Sequence, residues 1–170
     1  MGTFLNNKEF SDITFLVDGK VVYGHKVVLS LLSETFRTMF TCGFRESSQA
    51  QIPIEMDYNI FMLMMEYLYT GKARKITKLD LWVDDSLDTD SVETVCDLMQ
   101  AADQFLLDHL KQICESILKN VVNDETVSYL LERAMQCNAQ QLIAVCYHLQ
   151  RNSHGDNAAQ EEGVLMSHKK

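Results

Sequence analysis

Residues Ser11 to Val17 read Ser-Asp-Ile-Thr-Phe-Leu-Val, with Ile13, Phe15 and Val17 alternating with Thr14 and Leu16. Successive strand side chains point to opposite faces, so this spacing predicts a half-buried strand rich in β-formers. Asp18-Gly19 follows, and glycine readily takes the positive φ that a tight hairpin turn needs. Val21 to Tyr23 then returns as the partner strand. From Lys26 the spacing becomes helical through Val28, Leu29 and Leu32. A strand, a turn, a second short strand and a helix opened by His25-Lys26 set an α+β beginning.

Ser33 is placed to cap the next helix, Glu34 to Phe40, which carries Phe36, Met39 and Phe40 on one side. Polar residues Ser47 to Gln51 form a loop, and Gln51 to Ile54 reads as a short strand. Its Pro53, the one proline in the chain, cannot donate to a ladder and predicts an edge position. Tyr58 to Tyr69 has helical spacing through Phe61, Met64, Met65 and Leu68, stopped by Gly71. Core packing is the favoured use of these methionines, with an adaptable binding groove as the alternative. Residues 72–89 run from basic to acidic around Leu79, Leu81 and Trp82. The preferred reading there is a strand through Leu81 to Val83 with a solvated acidic loop; a functional loop is the alternative.

The remaining chain reads as helices. Asp90-Ser91-Val92-Glu93 resembles a capping box ahead of Val92, Val95, Cys96 and Met99 on one face. Leu110, Ile113, Cys114, Ile117 and Leu118 line a second stripe. After Asn123-Asp124 come Val127, Leu130, Leu131, Ala134 and Met135, then Leu142, Val145, Cys146 and Leu149. Each helix presents a single stripe, so the helices must pack on one another or on the small sheet. Residues 152–170 have no period and a polar composition, which predicts a disordered tail.

A formal charge of -9 argues against a nucleic-acid partner, which needs a basic face to displace counterions. No apolar run is long enough to span a bilayer and no signal segment opens the chain, so no membrane role is expected. The five cysteines include no Cys-x-x-Cys pair and fall mostly on apolar helix positions. Together these predict an intracellular chain in a reducing cytosol or nucleus. Cys137, Cys146 and His148 match no standard zinc spacing, so neither metal nor cofactor is expected. No glycine-rich phosphate loop, His-Glu-x-x-His or Gly-x-Ser-x-Gly occurs, and the chain reads as a non-enzyme. Cys42, near Arg37 and Arg45, is the nearest approach to a reactive thiol. His25 is expected to be hydrogen-bonded to backbone within the fold.

Ser11-Asp12-Ile13, His25-Lys26, Ser33, Phe36, Met39-Phe40, Tyr67-Leu68-Tyr69-Thr70-Gly71, Ala101-Ala102-Asp103-Gln104-Phe105 and Leu110 to Cys114 occur in this order. In that order and context they resemble a BTB/POZ domain over residues 8–120. The resemblance implies a mainly α-helical cluster flanked by a small β-sheet, acting as a protein–protein interaction module. Residues 121–151 resemble the helical pair, the 3-box or start of a BACK domain, that follows BTB in cullin-3 adaptors. Phe44-Arg45-Glu46 occupies the place of that family's hydrophobic-x-Glu cullin motif. With Met39 on the preceding helix, these residues form the implied cullin contact, an aromatic anchor beside a charge. The alternative for Phe44 is packing back on its own domain.

The resemblance therefore implies a substrate adaptor of a cullin-3 RING E3 ubiquitin ligase whose ubiquitination substrate the sequence leaves unknown. The rivals are a self-association or scaffold module and corepressor recruitment. Asp12 and Lys26 stand where transcription-factor members form a charged corepressor pocket; a buried Asp–Lys pair that fixes the sheet is the favoured alternative. Ten residues, Met1 to Phe10, precede the first strand, fewer than the family's dimer-forming N-terminal helix and exchanged strand need. A monomer or weak homodimer is the resulting expectation, from a chain that reads as a fragment or short form of a longer protein.

Overall fold

A computed structural model of the chain describes residues 4–41, 51–74, 76, 82–83 and 86–165, with side chains described except at 82, 83, 86 and 153–165. Strands β1 (Ile13–Val17) and β2 (Lys20–Gly24) form the expected antiparallel hairpin, with Phe15 opposite Val22 and Val17 opposite Lys20. Asp18 and Gly19 both have positive φ, 48° and 72°, the turn geometry whose twist matches the strands. Ile13, Phe15 and Val17 are buried while Leu16 is exposed, so the period-2 reading holds. Strand β3 (Ile52–Ile54) joins β1 in parallel and completes a sheet of order β2-β1-β3. Among the described residues Pro53 lies on an end strand.

Helices α1 (Lys26–Leu32) and α2 (Glu34–Thr41) follow the hairpin and pack on each other. Ser33 between them is buried; its hydroxyl accepts from the Phe36 N–H at 3.3 Å and donates to the Phe105 carbonyl at 2.7 Å. One side chain thus caps α2 and ties it to a segment 72 residues away. Helix α3 (Tyr58–Thr70) starts where the Asp57 carboxylate accepts from Asn59 and Ile60 N–H groups, and ends at Gly71 in the left-handed region. Phe61, Met64, Met65 and Leu68 are all buried, so these methionines pack the core. Phe15 meets Phe36 and Phe61 at ring distances of 5.6 and 5.4 Å, which places the aromatic centre of the core between sheet and helices.

Residues Trp82–Val83 (β4) and Ser86–Leu87 (β5) form a two-stranded antiparallel ribbon inside the irregular stretch. Helix α4 (Thr89–Gln104) packs on α3 with Val92, Val95, Cys96 and Met99 buried. Its cap is Asp88 rather than the expected Asp90, and the Ser91 hydroxyl donates to the Asp88 carboxylate. The Asp88 side chain accepts from the Ser91 hydroxyl and makes no capping bond to a backbone N–H, so the expected capping box does not form. Helix α5 spans Asp108–Leu118.

The chain divides into compact units at Met1–Cys114 and Glu115–Lys170, so the second unit begins ahead of residue 121. Within the second unit, α6 (Val127–Gln136) and α7 (Gln140–Leu165) pack as a helical pair. Asn123 opens the turn into α6 by accepting from the Glu125 and Thr126 N–H groups, both at 2.9 Å. Buried Glu115 accepts from the Gln141 and Leu142 N–H groups at 3.0 Å. A carboxylate at a helix N-terminus receives the donors that have no intrahelical partner, which makes this buried charge tolerable. The backbone of 152–165 continues α7 where aperiodicity predicts a disordered tail. Ala158, Ala159, Gln160, Glu161 and Glu162 in that stretch are good helix formers without an apolar stripe. No helix among the described residues is long and apolar enough to cross a membrane.

Candidate partner-binding surfaces

Interaction modules are read from apolar side chains that the fold leaves uncovered, especially where holding them there costs energy. Helix α4 ends in a Schellman motif: the Leu106 N–H donates to the Asp103 carbonyl and the Leu107 N–H to the Ala102 carbonyl. The residue after the helix in this motif takes a left-handed conformation, normally as glycine or asparagine. Helix α6 obeys that preference with Asn138 (φ 52°), which makes the same pair of bonds with Ala139. Helix α4 places Leu106 there instead (φ 53°), and 59% of it is exposed. A branched apolar residue is therefore held in a strained conformation with its side chain directed to solvent.

Leu106 borders a groove of about 280 Å³ between the end of α1, the last turns of α3 and the α4–α5 link. Leu32, 51% exposed, lies on the opposite rim, and Leu68 and Leu107 are the buried residues of the lining. The spacing of Val28, Leu29 and Leu32 predicts Leu32 on the covered face. A seven-residue α1 that ends at Leu32 buries Leu29 alone. On the groove wall the Tyr67 hydroxyl hydrogen-bonds His109 Nδ1 at 2.8 Å, and burial pushes the Tyr67 phenol above its ordinary value. The groove thus joins apolar rims to one polar handle. No glycine marks the end of α4, so its left-handed residue was not legible in sequence.

A second surface surrounds an apolar cavity of about 270 Å³ lined by Phe4, Phe10, Val27, Val28, His25 and Tyr69. Phe10 is 77% exposed, and Val27 and Leu31 on α1 are exposed with it. His25 anchors this region. Its backbone N–H donates to the Tyr69 hydroxyl at 2.9 Å, leaving the phenol proton for His25 Nδ1 at 2.8 Å. Nε2 is then the protonated nitrogen and donates to the Glu9 carbonyl at 3.1 Å. The expected backbone role of His25 is realised, and the ring ties the N-terminal segment to α3.

Asp12 and Lys26 are brought together, but not as a buried ion pair. Asp12 is exposed, and its carboxylate accepts from the Lys26 backbone N–H at 2.7 Å. The Lys26 ammonium lies 5.9 Å from the centre of the Phe40 ring. A carboxylate at the first turn of α1 is a helix cap, stabilised without the desolvation that a buried pair would suffer. Met39 is half-buried on α2, while Phe44, Arg45 and Glu46, together with Cys42, lie outside the described residues. In the second unit Tyr129, Met135 and Tyr147 are exposed; Met135 was expected on the covered stripe, and α6 buries Val127, Leu130 and Ala134 instead. Cys137 and Cys146 are buried, and burial pushes the Cys146 thiol above its ordinary value. Among the described residues no three His, Cys, Asp or Glu side chains gather to hold a metal.

A sheet-and-helix fold with preformed apolar grooves and free apolar rims is the architecture of a protein–protein interaction module. Residues 1–122 match the BTB/POZ domain, and the chain belongs to that family. It is 34% identical over 144 residues to an Arabidopsis thaliana ARM repeat protein interacting with ABF2, covering 84% of this chain and 18% of that protein. It is 27% identical over 156 residues to Drosophila melanogaster BTB/POZ domain-containing protein 9, covering 92% of this chain and 20% of that protein. The chain therefore spans about a fifth of the length of these curated relatives. Among solved structures it is similar to the BTB domain of zebrafish PATZ1, at 23% identity and a TM-score of 0.48 over 65% of this chain and 77% of that one.

Proposed function

We propose that this chain is the cullin-binding part of a substrate adaptor for a cullin-3 RING E3 ubiquitin ligase, acting in the cytoplasm or nucleus. The observation that carries the reading is Leu106, a strained and exposed leucine bordering a groove of about 280 Å³. Family membership supplies the class, and Phe44-Arg45-Glu46 supplies the motif at the cullin position. In this reading Phe44 is the aromatic anchor, Arg45 and Glu46 lie beside it, and Met39 supports it from α2. Residues 121–151 act as the 3-box or BACK-like extension of the same docking function. Phe44→Ala should weaken binding to the cullin-3 N-terminal domain by roughly 2 kcal/mol, about thirtyfold, without changing the unfolding midpoint. Equal affinity of the two proteins in calorimetry would sink the assignment.

A second reading, self-association without a cullin, is favoured by the exposed Phe10, Val27 and Leu31 around the N-terminal cavity. Sedimentation equilibrium at micromolar concentration separates the readings. A tight dimer that ignores cullin-3 supports the second, and a cullin-binding monomer or weak dimer supports the first.

A further inference from the structure

We propose that residues Phe4–Phe10 are a displaceable guard on the open edge of β2, closed by the Asn6 side chain. Displacement of the guard makes that edge a strand-pairing site for β2 of a second copy of this chain. Among the described residues β2 is an end strand of the sheet. Alternate residues of such a strand direct their N–H and C=O groups away from the sheet, where they template the addition of another strand. Tyr23 is one of them: its N–H donates to Asn6 Oδ1 at 3.0 Å. The carboxamide imitates a backbone carbonyl and occupies the place that an added strand would take. The guard itself cannot serve as that strand, because Asn6 (φ 51°) and Phe10 (φ 57°) are left-handed rather than extended.

The edge beneath is suited to pairing with itself. Leu16 and Val21 are cross-strand partners and both exposed, and Tyr23 shares their face two residues on. In an antiparallel β2–β2 pairing centred on Val22, Val21 meets Tyr23 of the second copy, an aromatic–β-branched pair. Lys20, the one charged residue on β2, meets Gly24 rather than another lysine, so no like charges face each other. Among the described residues the polar and ring contacts that tie the guard to the domain are the Phe4 ring edge-on to His25 at 5.8 Å, the Asn6 bond, and the Glu9 carbonyl on His25. That makes it an element that opens locally without unfolding the domain.

Asn6→Ala tests the proposal in the full chain. Amide exchange at Tyr23 should quicken roughly fivefold, the effect of losing one hydrogen bond of about 1 kcal/mol. Sedimentation velocity should show concentration-dependent association above the parent's own assembly. Adding Val21→Lys to Asn6→Ala should abolish the extra association, because two lysines would then crowd the pairing edge. Unchanged Tyr23 exchange in Asn6→Ala would overturn the guard. Parent-like sedimentation of Asn6→Ala, or association that survives Val21→Lys, would overturn the edge as its pairing site.

Discussion

Leu106 offers a test in which fold and function respond separately. Fully burying a leucine side chain is worth about 1.5–3 kcal/mol. With 59% of Leu106 exposed, the fold captures about two-fifths of that, ~0.6–1.2 kcal/mol. A partner that covers the remainder captures ~0.9–1.8 kcal/mol, about five- to twentyfold in Kd. The left-handed backbone costs a leucine ~1–2 kcal/mol, a cost that glycine escapes. Leu106→Ala keeps the strain and loses the packing, so it should destabilise the chain by about 1 kcal/mol. Leu106→Gly loses the same packing and ~0.5–1 kcal/mol of chain entropy, but releases the strain. It should therefore leave stability within about 1 kcal/mol of the parent and above that of the alanine variant. Both variants should lose the same five- to twentyfold in affinity for the cullin-3 N-terminal domain. Urea unfolding and calorimetry read the two quantities separately. Parent-like affinity in both variants would refute the groove as the docking site. A glycine variant less stable than the alanine one would refute the strain argument.

Further tests follow from the core. Ser33→Ala removes the α2 cap and leaves the Phe105 carbonyl buried without its donor; the sum is about 2–3 kcal/mol, seen as a lower urea midpoint at unchanged slope. Thr35→Ala, which loses a more exposed bond of 3.1 Å to the Gln104 carbonyl, is its mild control. Gly24→Ala should cost about 1–3 kcal/mol, because the added methyl meets Ile13 and Phe15 side-chain carbons at 3.0 Å and Leu29 at 3.2 Å, all three buried; a parent-like melting temperature would show that the hairpin yields. Burial raises the Tyr69 phenol above its ordinary 10.0, the His25 N–H opposes this, and the Asp12 charge adds to it. A folded value raised above the unfolded one gives stability that is complete below about pH 10 and lost as pH rises through the folded value. The stability gap between parent and Tyr69→Phe should thus narrow in alkali, and a gap constant with pH would refute the assignment.

The chain's local elements were legible because their signals are local. Alternation at Ile13, Phe15 and Val17 with Asp18-Gly19 specifies a hairpin whatever surrounds it, since side-chain period and turn chirality are properties of a few adjacent residues. Gly71 and the 3.6-residue stripe of α3 specify that helix and its end for the same reason. The ordered strings from Ser11 to Cys114 sufficed for the family. What covers each stripe was decided only by tertiary packing. Leu29 and Leu32 sit on one helical face by spacing, yet one is buried and the other forms a groove rim, because the neighbour reaches only part of a short helix. Leu106 carried no signal, since a left-handed leucine arises only when long-range packing outweighs local preference. Asp12 and Lys26 were read as a pair from sequence, but only the placement of α1 over the strand made their contact a cap instead of a salt bridge. Period and turn chemistry fix which residues belong to an element; exposure, strain and partner surfaces depend on contacts between residues far apart in sequence, and those exist only in the folded chain.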